Sequence, residues 1–152
     1  MSEWTATARA KTTPCQVLEV LTHPAKIRDW SPVDFDVDEL DGRRLAAGTR
    51  GRVTGRLAGV TVGFDLEVHH ADEGRLELSA SGPVGIDVRY DLRAADEGAE
   101  FEARVSVRPS RGLTGKLVAN ATSALLSAGA LEGAANRIAR AAEAQHTLAA
   151  AA

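Results

Sequence analysis

The chain has 152 residues, 44% of them hydrophobic and 26% charged, with a formal net charge of -3. This length and balance predict one domain over residues 1-152 that can bury a core, with no electrostatic pull toward nucleic acid or an anionic membrane. The lone Cys15 excludes an intrachain disulfide, "MSEWTATARAK" lacks the apolar core of a signal peptide, and no window approaches the ~18 apolar residues of a membrane helix, so a soluble cytoplasmic protein without membrane insertion is expected.

Trp4, Ala6, Ala8 and Ala10 alternate with Thr5, Thr7, Arg9 and Lys11, the period of a strand with one buried face. "TTPCQ" stops that strand and starts a helix. Thr13 suits the cap, Pro14 the first helical position, and Gln16 the far corner of a capping box. Val17, Leu18 and Leu21 form the apolar stripe. "THP" breaks the helix and opens a short second one ending near Trp30, where Ser31-Pro32 turns the chain.

The pattern then becomes β. "VDFDVDEL", "GTRGRVTGRL", "GVTVGFDLEVHH", "RLELSASG", "VGIDVRYDLRA" and "AEFEARVSVRP" follow one another, with turn signals at Ala58-Gly59, Asp72-Glu73-Gly74 and Asp96-Glu97-Gly98. Short strands joined by such turns predict an antiparallel meander. One face collects Val60, Val62, Phe64, Leu66, Val68, Leu76, Leu78, Val84, Ile86, Val88, Leu92, Phe101, Val105 and Val107. The other collects Asp65, Glu67, Glu77, Asp87, Arg89, Asp91, Arg93, Glu100, Glu102 and Arg104. The apolar face needs a cover. From about Lys116 to Gln145, Leu117, Ala121, Leu125, Ala128, Leu131, Ala135, Ile138 and Ala142 recur at helical spacing. They predict one long helix crossing the sheet, with residues 147-152 as a frayed tail.

Strand, two short helices, six more strands and a long helix form the order of the helix-grip fold, an α+β fold in which a curved antiparallel sheet wraps a C-terminal helix. Through "TTPCQVLEVLTHPAKIRDWSP", "GTRGRV", "ADEGRLELSASGP" and the terminal helix, residues 3 to 145 resemble the polyketide cyclase/dehydrase group of the START-like, birch-pollen-allergen-like (SRPBCC) superfamily. The resemblance implies an apolar cavity between sheet and helix that holds a lipid-like or polyketide-like molecule. It carries over no catalytic residue.

Strand parity then proposes the cavity wall. Phe35 and Val53 come from the first strands of the meander, Val62, Phe64 and Leu66 from the next, then Leu78, Ile86, Val88, Phe101, Ala103 and Val105. Leu117, Ala121 and Leu125 would face them from the helix. Trp30 reads either as a core plug between the short helices and the sheet or, as the resemblance implies, as a wall closing one end of the pocket. Small residues (Gly51, Gly55, Ala80, Ala99, Ala103 and the helix alanines) would either leave volume or let helix and sheet approach closely. Tyr90 is an inward polar residue on the same face as Val88 and Leu92, either bonded to backbone or free to orient a ligand carbonyl.

His69 and His70 sit at a strand end. Regular parity turns His70 inward and His69 outward, so the pair does not grip one metal ion, and a bulge before "ADEG" would change the parity. His70 reads either as a rim histidine or, together with Tyr90, as a candidate catalytic residue; no metal and no cofactor are implied. Cys15 reads as structural, and "GLTGK" lacks the spacing of a phosphate loop. "VDFDVDELD" lacks the glycine and terminal glutamate of a calcium loop. Asn120, Ser123 and Ser127 form a polar stripe within a run, Leu117 to Leu131, that carries no charge, leaving a portal or a homodimer contact open. Three functions follow in order: a binder of an apolar small molecule, a polyketide cyclase, aromatase or dehydratase using the same cavity, and a protein-interaction module.

Overall fold

Alternation and turns deliver a seven-stranded antiparallel sheet in the computed structural model, which describes residues 2–57, 59–108 and 112–151, with the backbone alone for residues 2 and 146–151. The strands are β1 (Ser2–Ala10), β2 (Phe35–Leu40), β3 (Arg50–Leu57), β4 (Val60–Ala71), β5 (Arg75–Ser81), β6 (Gly85–Ala95) and β7 (Gly98–Arg108). Their spatial order is β1-β7-β6-β5-β4-β3-β2, so β2 to β7 form the expected meander and β1 closes onto its last strand. Residues 58 and 109–111, in the expected Ala58-Gly59 turn and the loop before the terminal helices, lie outside the described residues.

The helices are α1 (Pro14–Thr22), α2 (Pro24–Trp30), α3 (Gly112–Ser127) and α4 (Ala130–Ala151). Thr13 caps α1 as its sequence predicts: its backbone is extended, and its Oγ1 accepts a hydrogen bond from the Gln16 N–H at 3.3 Å. His23 ends α1 and begins α2 with Pro24 in the first turn. On the outer sheet face the charges pair as neighbours, including Arg89–Asp91 at 2.9 Å, Arg93–Glu100 at 2.7 Å and Arg108–Asp87 at 3.0 Å. Exposed pairs of this kind add little stability.

The long terminal helix is corrected to two. Gly129 has φ +94°, a left-handed conformation that glycine adopts without the Cβ clash of other residues. The Gly129 N–H bonds the Leu126 carbonyl at 3.2 Å, closing α3, and α4 starts one residue later. The break changes the helical phase. Val118, Thr122 and Leu126 are the buried stripe of α3, while Leu131, Ala135, Ile138 and Ala142 keep their expected inward position on α4. Leu126 to Leu131 is five positions, more than a continuous helix places between neighbours on one face. Consequently Leu117 turns outward and is 53% exposed, with Leu113 at 86%. The α4 backbone continues to Ala151, and the side chains of the expected frayed tail lie outside the described residues. Among the described residues, no helix is long and apolar enough to cross a membrane.

α4 packs on β1, α1 and α2, while α3 touches α4, β1 and β3. Phe101, Leu21, Leu76 and Ile138 are among the largest fully buried side chains, so the core lies between the inner sheet face and the helices.

Candidate ligand cavity

An apolar cavity of about 290 Å³ lies between the helices and the inner face of the sheet. Its floor comes from alternate inward positions: Val53 on β3, Leu66 on β4, Leu76 and Leu78 on β5, Val88 and Tyr90 on β6, and Val105 on β7. Leu21, Pro24, Ile27 and Trp30 of α1 and α2 form one side, and Phe35, Val37 and Leu40 of β2 form another. Leu126, Leu131 and Ala134 cover it from the two terminal helices. No ionised group is among the lining residues, and the volume lies near the lower end of the range for small-molecule sites.

Of the residues expected here, Phe35, Val53, Leu66, Leu78, Val88, Tyr90 and Val105 from parity and Trp30 from the resemblance do line the cavity. Val62, Phe64, Phe101 and Ala103 face the interior but are buried elsewhere in the core, and half-buried Ile86 also falls outside the lining. Leu117, Ala121 and Leu125 do not line it, because the break at Gly129 rotates Leu126 into that place. Leu21 and Leu131 belonged to recognised helical stripes and could have been added from sequence. Leu45, in the loop between β2 and β3, carries no periodic signal.

That loop is a strap across the cavity. The Leu45 N–H donates to the Thr22 carbonyl at 2.9 Å, and Leu45 itself is only 6% exposed. The neighbouring Arg44 guanidinium donates to Glu19 Oε1 at 3.1 Å. Glu19 also faces His23 at 3.3 Å and Lys26 at 3.6 Å. Burial alone would raise its pKa, but the His23 hydrogen bond and the Lys26 and Arg44 charges together hold it below the ordinary glutamate value.

Polar groups at the cavity are few. Trp30 donates its Nε1–H to the Val20 carbonyl at 3.1 Å, and its own carbonyl accepts from Arg137 Nε at 3.1 Å. Tyr90 packs edge-on against Trp30, with ring centroids 6.5 Å apart and an interplanar angle of 77°. Tyr90 is 5% exposed, and its hydroxyl has no hydrogen-bond partner among the described residues. Burial pushes its pKa far above the ordinary tyrosine value, so it stays a neutral donor.

The histidines lie on the other side of the sheet. The ladder runs Val68↔Leu78 and then His70↔Glu77, a bulge that gives β4 an extra residue at His69. Parity therefore flips, and the expected inward position of His70 is corrected: both histidines are exposed. His69 Nε2 lies 2.8 Å from Ser79 Oγ, and His70 Nε2 lies 2.6 Å from Asp72 Oδ2. The Gly74 N–H and His70 hold the Asp72 carboxyl below its ordinary value. Tyr90 and His70, the candidate catalytic pair, are thus separated by the sheet. Among the described residues, no group of three or more His, Cys, Asp or Glu side chains is placed to hold a metal ion.

No protein-family model and no curated protein matches the sequence. Solved structures do match its shape. Protein CV1439 from Chromobacterium violaceum superposes with a TM-score of 0.68 at 12% identity, over 93% of this chain and 96% of that one. Ara h 8.0201 gives 0.59 at 14% identity, over 90% and 97%. DynU16, from the dynemicin biosynthetic locus, gives 0.61 at 22% identity, over 96% of this chain and 49% of that one, so this chain spans about half of DynU16. At such identities the likeness shows the fold alone, which is the α+β helix-grip fold.

Proposed function

We propose that the chain binds a hydrophobic small molecule, polyketide-like or lipid-like, in the cavity under the Leu45 strap. The observation that carries this reading is a lining of Leu, Val, Ile, Pro, Phe and Trp side chains without an ionised group, which matches the chemistry of an apolar ligand site. The single exposed Cys15 supports a reducing, cytoplasmic setting. Native mass spectrometry of freshly purified protein, with its denatured mass alongside, tests the binding reading together with titration by the neutral dye N-phenyl-1-naphthylamine. A mass lost on denaturation, or saturable dye binding at one per chain, is expected. Protein that carries no adduct and leaves the dye unbound would refute it.

A second reading, a polyketide cyclase, aromatase or dehydratase, is favoured by the unbonded Tyr90 hydroxyl at the cavity. Holding a reactive chain in one fold supplies much of such a rate, with the phenol as the proton donor. Turnover of a poly-β-ketone substrate by wild type but not by Tyr90→Phe would support it, and equal turnover would end it. A contact between copies through α3 is a separate reading, supported by exposed Leu113 and Leu117. Light scattering over a concentration series reads it directly.

A further inference from the structure

We infer that the Tyr90 hydroxyl sets the specificity of the cavity, donating a hydrogen bond to an acceptor on an uncharged ligand and leaving carboxylate-bearing ligands outside. The inference rests on the binding reading above and narrows its ligand class.

Elimination around the cavity leads to this residue. Three lining residues carry a side chain able to donate a hydrogen bond: Trp30, Ser31 and Tyr90. The Trp30 N–H is committed to the Val20 carbonyl at 3.1 Å. The Ser31 hydroxyl donates to the Val33 carbonyl at 2.8 Å and accepts from the Val33 N–H at 3.2 Å, so it is used in both directions. The Tyr90 hydroxyl has no partner among the described residues, although the residue is 5% exposed. Its oxygen is not fully enclosed, so a ligand can reach it. A ligand that covers it without offering an acceptor leaves a buried donor unpaired, which is costly, and an acceptor on the ligand removes that cost. Edge-on packing against Trp30, itself tied at both its indole and its carbonyl, fixes the direction of the phenol ring.

The same inventory excludes a charged ligand. A carboxylate brought into the cavity would lose its water and find one neutral donor, with no lysine, arginine or histidine among the lining residues to balance it. A ketone, ester or ether oxygen needs one donor and carries no charge. The ligand class is therefore a neutral, mostly hydrocarbon molecule with a single acceptor placed toward β6.

The test compares 2-acetylnaphthalene, 2-ethylnaphthalene and 2-naphthoate at pH 7, each displacing N-phenyl-1-naphthylamine from wild type and from Tyr90→Phe. The variant removes one oxygen and keeps the ring, so packing against Trp30 is retained. We expect the ketone-over-hydrocarbon preference to be roughly threefold to tenfold larger in wild type than in the variant, and naphthoate to bind wild type at least about tenfold more weakly than the ketone. An equal preference in both proteins overturns the assignment of Tyr90 while leaving the cavity as a binding site. Naphthoate binding as tightly as the ketone overturns the exclusion of charge. Failure of the dye and of all three probes to bind removes the binding reading and this inference with it.

Discussion

Ala134→Leu separates an open cavity from a well-packed core by the sign of its effect. Ala134 lies on α4, is 3% exposed and lines the cavity beside Leu131. The substitution adds three carbons. At about 0.8 kcal/mol per buried CH₂ their transfer contributes up to ~2.4 kcal/mol, from which ordering the new side chain takes roughly 0.5–1 kcal/mol. About 290 Å³ of space stands ready to receive them, and alanine and leucine are close in helix propensity. The unliganded variant should therefore be more stable by roughly 1.5–2 kcal/mol, a rise of about 3–8 °C in Tm for a chain of this size. In a core without free volume the same change would instead cost about 1–3 kcal/mol through overpacking. Urea unfolding followed by tryptophan fluorescence measures the difference, and dye binding should weaken by about tenfold or more as the volume is taken. A destabilised variant, or a stabilised one that binds as well as wild type, would refute the assignment of this space as the ligand site.

The Glu19 carboxyl has a folded pKa below its ordinary value, so its contribution is present above about pH 4.5 and is lost as pH falls through the lowered value. Protection of the Leu45 N–H against hydrogen exchange should hold from pH 6 down to about pH 4.5 and fall as the pH drops further, and Glu19→Gln should show the weakened protection already at pH 6; unchanged protection in the variant would show that the Arg44–Glu19 contact does not hold the strap. His70→Ala should leave dye affinity within about twofold and stability within ~0.5 kcal/mol, as expected of an exposed residue; a tenfold loss of binding would place that histidine at the ligand after all. Gly129→Ala forces a Cβ into φ +94° and should cost about 1–2 kcal/mol in urea unfolding; an unchanged midpoint would argue that α3 and α4 can run as one helix.

Strand parity was readable wherever the ladder is regular. From Val60 to Val68 on β4, and along β5 to β7, inward and outward residues fall as the alternation predicts, because each face has a strongly different polarity. Parity failed at the bulge between Val68 and His70, since an inserted residue leaves no mark on composition. A similar shift between Val37 and Glu39 lets Leu40 pair with Gly51 and line the cavity, although the alternation placed Asp38 and Val37 as simple neighbours. In the helical layer, the Ala128-Gly129 pair was a legible stop signal. A continuous apolar spacing obscured it: Leu117, Ala121 and Leu125 fit the same stripe as Leu131 unless a phase change is allowed. Leu45 was beyond reach, because its burial depends on the Thr22 carbonyl and the Glu19–Arg44 contact, both made with a distant helix.

The cavity also lies where residue size alone would not place it. Small inner residues were expected either to leave volume or to draw the layers together; apart from Ala134, which lines the cavity, the buried alanines lie away from it. Ala6 and Ala10 on β1 and Ala99 and Ala103 on β7 are all buried, as are Ala135, Ala139 and Ala142 on α4. α4 rests on β1, and none of these alanines lines the cavity. Short side chains on both layers let backbone approach backbone, closing that end as a dense core. Toward the other end larger side chains, Trp30, Tyr90, Leu66 and Leu78, line the cavity, and it is α3, across the break at Gly129, that touches β3. Buried alanines thus fill the end along β1 and β7, while larger side chains line the cavity toward β2. The phenol, without a partner among the described residues, lines that cavity, whereas the histidine pair is exposed on the outer face, which is why size and polarity converge on Tyr90.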